Sequence, residues 1–216
     1  MGSVETFQLA DGSRLTSGIR KRRQSRKVVV SELGLDGDQC YDPAHDGPNR
    51  RVHAFPMEHY AVFSNMAGRP IEPPSFGENL ALSGLPDNHA CVGDVLQVGS
   101  SVLQITMPTE RCKNPGRLAG VPMLLKWVIE TLRSGYYLRV LERGEIGPGD
   151  SCTVLSRPNP HWSIETLTSS MYNRIKDREH LELLQTIDEL APEWKTRLWT
   201  LHERATHRTE ATSAAR

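Results

Sequence analysis

The sequence predicts a mainly β domain with interrupting helices, followed by a small three-helix unit. Two observations carry this. Short β-type runs recur through residues 1–157, each bounded by Gly, Pro, Asn or Asp, as in a barrel or sandwich and unlike a parallel βαβ sheet. Beyond Arg157-Pro158-Asn159-Pro160 every apolar run has helical spacing, and the two prolines mark a connection between units.

Val28–Ser31 is a β-branched run leading into the turn Leu33-Gly34-Leu35-Asp36-Gly37-Asp38. Arg51–Phe55, Val92–Val98, Ser101–Met107, Tyr136–Leu141 and Ser151–Leu155 complete the expected strands. Gly93-Asp94 and Gly149-Asp150 read as turn residues that open strands. One helix is expected over Met57–Met66. A second spans Val121–Leu132, with Pro122 near its start, Leu124, Leu125, Val128 and Leu132 on one face, and Gly135 as its stop. In the last unit, Ser163 caps a helix bearing Ile164, Leu167, Met171 and Ile175. Asp177 caps another with Leu181, Leu184 and Ile187, and Pro192 starts a third with Trp194, Leu198 and Leu201. Helices this short need tertiary packing to persist. The expected organisation is a β domain over 1–157, three helices over 162–205 and a flexible tail over 206–216 that lacks large apolar groups.

A chain of 216 residues can bury a core without covalent staples. Lys plus Arg and Asp plus Glu number 26 each, so the net charge is zero and offers nucleic acid or an acidic membrane no overall attraction. The N-terminus has no apolar signal-peptide core, and no apolar run reaches the length of a membrane span. Cys40, Cys91, Cys112 and Cys152 include no C-x-x-C pair, which weighs against a classical zinc or dithiol motif. The expected setting is a reducing cytoplasm.

Cys112 follows a strand-like run and is flanked by Arg111 and Lys113. Adjacent cations favour the thiolate, the form that attacks or binds metal; the alternative is a buried structural cysteine. Cys91 and Cys152, within strand-like runs, read as structural, and Cys40 in a loop is open. Asp42-Pro43-Ala44-His45-Asp46-Gly47-Pro48-Asn49-Arg50-Arg51 gathers an imidazole and two guanidiniums suited to anion oxygens, or is a solvated turn. In Phe76-Gly77-Glu78-Asn79-Leu80, Gly77 permits close approach and Asn79 offers an amide. Arg20–Lys27 packs six cations into eight residues with no aromatics interleaved for base stacking. It reads as a solvated segment, a nucleic-acid patch, or a source of one or two cations turned inward.

These segments, in this order, resemble the MOSC family, named for the C-terminal domain of molybdenum cofactor sulfurases, in its YiiM-like branch. The resemblance rests on Ser17-Gly18-Ile19-Arg20-Lys21, Leu33–Asp38, His45–Arg50, Phe76–Leu80, Val92-Gly93-Asp94, Ile146–Asp150 and the tail from Trp162 through Trp194. It implies a mostly antiparallel β-barrel with a basic cleft for the molybdenum cofactor (molybdopterin), followed by three helices. By the same resemblance Cys112 is the molybdenum ligand and catalytic residue, and His45 a second catalytic residue. Lys21, His45, Arg50, Asn79 and Arg111 would line the cofactor pocket. Asp46 stands where the family pattern has glycine, Asn49 where it has aspartate, and Arg111 is displaced from the usual Pro-Arg-x-Pro.

The implied activity is reduction of N-hydroxylated compounds, such as N-hydroxylated purines or hydroxylamines, with a separate electron-donor protein. Two other readings stay open. In one, Cys112 is a sulfur carrier holding a persulfide from a cysteine desulfurase. In the other, the chain is a non-catalytic module binding through its basic patch. A homodimer is also expected; nucleic-acid and membrane partners are not.

Overall fold

The computed structural model describes residues 1–9, 11–172 and 178–214, with 205–214 described by backbone alone. In chain order the strands are β1 (Glu5–Gln8), β2 (Arg14–Ser17), β3 (Val28–Ser31), β4 (Gly34–Leu35), β5 (Val52–Pro56), β6 (Leu80–Leu82), β7 (Val95–Val98), β8 (Ser101–Pro108), β9 (Tyr136–Glu142), β10 (Gly144–Ile146) and β11 (Cys152–Ser156). The helices are α1 (Met57–Ala67), α2 (Asn114–Ala119), α3 (Leu124–Thr131), α4 (Ile164–Tyr172), α5 (Arg178–Gln185) and α6 (Pro192–Ala214).

The expected mainly β architecture is present. A six-stranded sheet runs β11-β7-β8-β9-β5-β6, antiparallel throughout except for the parallel β5–β6 pair. Register shifts in β8, between Val102 and Leu103 and between Ile105 and Met107, break its ladder with β9. Such bulges bend a strand, and the sheet curls into a half-barrel. A three-stranded sheet, β10-β3-β4, buries Val30, Leu35 and Ile146 in the same core as Leu96, Leu103, Ile105 and Leu138. A separate hairpin pairs β1 with β2.

Every residue of β5 is buried, as suits a strand covered on both faces. The two-residue period of a strand sends successive side chains to opposite faces. Val52 and Ala54 enter the main core. Phe55 joins a second cluster with Tyr60, Phe63, Ile71, Phe76 and Val128 under α1 and α3. His53, on the Phe55 face, is thereby directed to the site described below.

The C-terminal helices share the core of the sheet. Ile164, Leu167, Leu181, Leu184, Trp194 and Leu198 form one continuous apolar cluster with the strand residues. Ser163 caps α4 as expected, its Oγ accepting from Thr166 N at 3.1 Å. Ile175 and the cap Asp177 lie outside the described residues. The backbone of α6 stays helical to Ala214, past the expected end of the helical unit at residue 205.

One helix differs from expectation. A short helix that was not expected, α2, ends at Gly120 in the left-handed region, and the helix expected over Val121–Leu132 is α3, shorter at Leu124–Thr131. That helix ends at Leu132, itself left-handed, so Gly135 is not its stop. A Cβ at Gly135 would meet Ala54 O at 2.6 Å and Phe55 Cδ2 at 2.8 Å. The glycine serves close packing of the loop on β5, which helical spacing alone did not reveal. Among the described residues no helix is long and apolar enough to cross a membrane.

If the helices and sheet are one cooperative unit, truncating fully buried Ile164 destabilises both together. We expect Ile164→Ala to cost about 2–5 kcal/mol. Unfolding followed by tryptophan fluorescence and by far-ultraviolet circular dichroism should remain coincident; separate transitions would refute the shared core.

Candidate functional site

A cavity of about 520 Å³ opens between the β3–β4 turn, the 38–51 segment and the loop after β8. Its wall includes Lys21, His45, Arg50, Asn79, Arg111 and Cys112. All the residues singled out as candidates thus come together, from segments far apart in sequence.

Arg111 lies at the cavity's inner wall. Its Nε donates to Ser134 O at 2.7 Å and one terminal nitrogen to Phe76 O at 3.0 Å. The other meets His53 Nε2 at 2.7 Å. A guanidinium only donates, so that imidazole nitrogen accepts and His53 is neutral. The guanidinium also lies 4.9 Å above the Phe55 ring and 5.4 Å from that of Phe76, and the two rings stack with centroids 4.0 Å apart. Burial and then the Arg111 charge hold the His53 pKa well below its ordinary value. Burial also lowers that of Arg111.

Gly77 completes this corner. Its φ of +74° is left-handed, and a Cβ there would press to 2.7 Å from Ile19 Cγ1. The turn carries Phe76 O toward Arg111 and Asn79 toward Asp38.

Asp38 organises the next part of the wall. Lys21 Nζ contacts its two oxygens at 2.7 and 2.6 Å. Asn79 Nδ2 donates to it at 2.8 Å and Gly2 N at 2.7 Å. Asn79 is further held by His53, whose N–H donates to Asn79 Oδ1 at 3.0 Å. Lys21 is therefore the one cation of the basic run that turns into the cavity wall, and its charge is met by Asp38. Arg20, Arg22, Arg23, Arg26 and Lys27 are exposed; Arg22 pairs with Glu5 at 3.0 Å, while Glu72 and Asp150 lie near Arg23 and Lys27.

The 42–51 segment forms two 3-10 turns, Pro43–His45 and Pro48–Arg50. His45 Nδ1 lies 3.0 Å from Tyr137 Oη. Burial chiefly lowers the His45 pKa, helped by the charges of Arg50 and Arg111 and opposed by Asp42. Burial pushes the Tyr137 phenol up to about 12, so it keeps its proton, and its hydroxyl donates to or accepts from Nδ1 according to the imidazole tautomer. Arg50 donates to Ala44 O, faces Glu193 at 3.7 Å and lies 6.0 Å from the Tyr137 ring centroid. Asp46, the residue in place of a family glycine, pairs with Arg51 at 2.8 Å. Asn49 donates to Glu193 at 3.2 Å.

The helical unit thus reaches the site. Glu193 of α6 faces Arg50 and Asn49. Arg197 grips Glu110, two residues before Cys112, at 2.8 and 3.3 Å. Tyr172 accepts from the Arg111 N–H at 3.4 Å. Cys112 is a free, half-buried thiol on the cavity wall.

Arg50 Nε, Arg51 Nε and Thr109 Oγ1 are buried without a hydrogen-bond partner, and all three residues line the cavity. Unpaired buried donors are costly, so the wall presents hydrogen-bonding capacity that an oxygen-rich anionic ligand would satisfy. No cluster of three or more His, Cys, Asp or Glu side chains is arranged for a metal among the described residues. The donor set suits a ligand bringing its own metal, to which one soft thiolate adds a bond.

Several of these residues escaped sequence reasoning. His53 and Tyr137 lie inside runs that read only as strands, and Asp38 in a turn, whereas Arg51 belongs to the guanidinium pair singled out in the 42–51 segment. Strand alternation would have placed His53 with Phe55, but nothing local pairs it with Arg111.

The MOSC domain family model matches residues 42–153, more than half the chain. Together with the fold and cavity, that match defines the class: the chain belongs to the MOSC domain family. It is 30% identical over 196 residues to YflK of Bacillus subtilis strain 168, covering 90% of this chain and 88% of that protein. It is 34% identical over 159 residues to a protein named "Reductase" from Gibberella moniliformis, covering 71% of this chain but 28% of the fungal protein. The crystal structure of YiiM from Geobacillus stearothermophilus superposes with a TM-score of 0.79 at 25% identity, over 94% of this chain and 95% of that one.

Two outcomes test this geometry. Lysine cannot reach three acceptors at once, so Arg111→Lys should lower stability by about 2–3 kcal/mol in urea unfolding; an unchanged midpoint would contradict the assigned bonds. Folded His53 stays neutral below pH 6.5, whereas the unfolded chain protonates near that value. Its contribution to stability is therefore present above pH 6.5 and is lost as pH falls below it, by up to about 1.4 kcal/mol per pH unit. Between pH 7 and 5.5 the wild type should lose more stability than His53→Gln; equal losses would refute the neutral assignment.

Proposed function

We propose that this protein is a molybdenum-cofactor-dependent reductase of N-hydroxylated compounds, with the Cys112 thiolate as molybdenum ligand. The observation that carries this reading is the cavity's donor set: a free thiol on the same wall as buried Arg50 Nε, Arg51 Nε and Thr109 Oγ1, none of which has a hydrogen-bond partner, although Glu193 lies 3.7 Å from Arg50 Nε. Membership of the MOSC family and the name of the fungal relative support it.

These residues fit the cofactor. Arg50 and Arg51 would hold its anionic oxygens through planar guanidinium donors. Thr109 would add a hydroxyl. Lys21 and Asn79 would keep the wall in shape through Asp38. When bound, the cofactor supplies the redox chemistry that removes oxygen from an N–O bond.

Converting N–OH to N–H takes up an electron pair and a pair of protons and releases water. The electrons would come from a separate donor protein. His45 would carry a proton in the tautomer whose Nδ1–H donates to Tyr137 Oη, because Nε2 is then free to take up a proton and pass it to the departing oxygen. Buried His53 and part-buried Arg111, through the bonds to Ser134 O and Phe76 O, would fix the main chain just before Cys112. A reducing cytoplasm would keep Cys112 free.

Cys40, which lines the same cavity, favours a second reading. A persulfide on Cys112, received from a cysteine desulfurase, would lose its outer sulfur as hydrosulfide when the Cys40 thiolate attacks the inner sulfur, the S–S bond breaking as a Cys40–Cys112 disulfide forms.

Protein purified from a molybdopterin-competent host separates the two. The reductase reading expects about one molybdenum per chain by elemental analysis, and loss of N-reductive activity by more than roughly a hundredfold in Cys112→Ala. Retained activity in that variant would eliminate the mechanism. A one-sulfur mass increase on Cys112 without molybdenum would establish the carrier.

A further inference from the structure

Arg50 and Arg51 each bring a buried, unpartnered Nε to the cavity wall, and each has a carboxylate nearby. That of Arg51 is Asp46, from its own loop. That of Arg50 is Glu193, in the first turn of α6, with Oε1 3.7 Å from Nε. At this separation the carboxylate makes no hydrogen bond to Nε, so it does not aim the guanidinium. Aim comes from elsewhere: Arg50 Nη1 donates to Ala44 O, and the Tyr137 ring centroid lies 6.0 Å away. The carboxylate, in turn, is anchored. Ala191 N donates to Thr106 O at 3.1 Å, Thr106 Oγ1 donates to Asn49 O at 2.7 Å, and Asn49 Nδ2 donates to Glu193 Oε2 at 3.2 Å. Buried Thr106 of β8 thus holds both the start of α6 and the loop beside Arg50. The Arg50 and Glu193 side chains are 21% and 37% exposed, so their charges interact through a medium less polar than water.

We propose that Glu193 is a specificity-determining carboxylate: as the fixed counter-ion of Arg50, it disfavours small free oxyanions in the cavity while admitting a larger anionic ligand. This rests on the reading of the cavity as the site of an anionic cofactor and extends it to what is kept out. A lone phosphate within reach of Arg50 gains a guanidinium whose charge is already partly met, and the carboxylate repels it. A ligand that also reaches Arg51, Thr109 and Cys112 has further bonds to set against the same repulsion. An acidic residue in a first helical turn has another use, since it complements the helix dipole. That role bears on the stability of α6 and leaves anion affinity untouched.

The test titrates full-length protein, from a host that makes no molybdopterin, with inorganic phosphate by calorimetry at fixed ionic strength. Glu193→Gln removes the charge and keeps an acceptor for Asn49. We expect it to bind phosphate roughly threefold to tenfold more tightly than the wild type, with Glu193→Ala shifting in the same direction. In an Arg50→Ala background the same substitution should gain little, because the coupling runs through Arg50. Weaker phosphate binding by Glu193→Gln would overturn the proposal and make Glu193 a support for Arg50. So would unchanged affinity with lower stability in urea, which marks a helix-dipole role, an equal gain without Arg50, or no phosphate bound by either protein. If phosphate responds as expected but protein from a molybdopterin-competent host holds no molybdenum, Glu193 keeps this role and the reductase reading fails.

Discussion

Arg111 carries its charge beneath the cavity with no carboxylate among its hydrogen-bond partners. Two main-chain carbonyls and a neutral imidazole take its donors, and two stacked phenylalanine rings flank its plane. Such an arrangement tolerates a buried cation because every donor group has a partner and the ring faces are negative. It also leaves the charge poorly neutralised, since the acidic groups that act on it, Glu78 and Asp87, do so from a distance. An inner wall of this kind attracts an anionic ligand. It also draws strand β5, the Gly77 turn and the loop through Ser134 to a single point.

Asp87 carries that constraint further into the fold. Its carboxylate accepts from Ser134 N at 2.7 Å and Gly135 N at 3.0 Å, while His59 Nε2 lies 2.8 Å from its other oxygen. The carbonyl that holds Arg111 is thus itself held by a buried ionic and polar network. Asp38 plays the corresponding role on the adjoining wall, joining the N-terminus, the basic run and Asn79. Anion-binding side chains and their supports therefore belong to different segments.

The C-terminal helices have two attachments of different kind. Their apolar faces complete the main core, which holds them in place, whereas Glu193, Arg197 and Tyr172 touch the loops that carry Arg50 and Cys112. The exposed Arg197–Glu110 pair adds little stability by itself. What it contributes is position, because it constrains the backbone two residues ahead of the thiol.

Much of the fold was legible in the sequence. Alternation located β3, β5, β7, β8, β9 and β11, and helical spacing located α1 and the three C-terminal helices, because both periods are local properties of side-chain direction. The short β1, β2, β6 and β10 were not legible; their few residues show no period of their own, and pairing partners define them. Helical spacing also located α3, whereas the six-residue α2 escaped because Asn114–Ala119 is too short to show an apolar period. Order and residue type brought Lys21, His45, Arg50, Asn79, Arg111 and Cys112 to notice, and the resemblance joined them into one site. Only the tertiary structure decided their states: Lys21 bound to Asp38, Asp46 to Arg51, and Arg111 to a histidine no motif singled out. These pairs are 17, 5 and 58 positions apart, and which of the many possible charged and polar partners meet depends on distances that the folded chain alone creates.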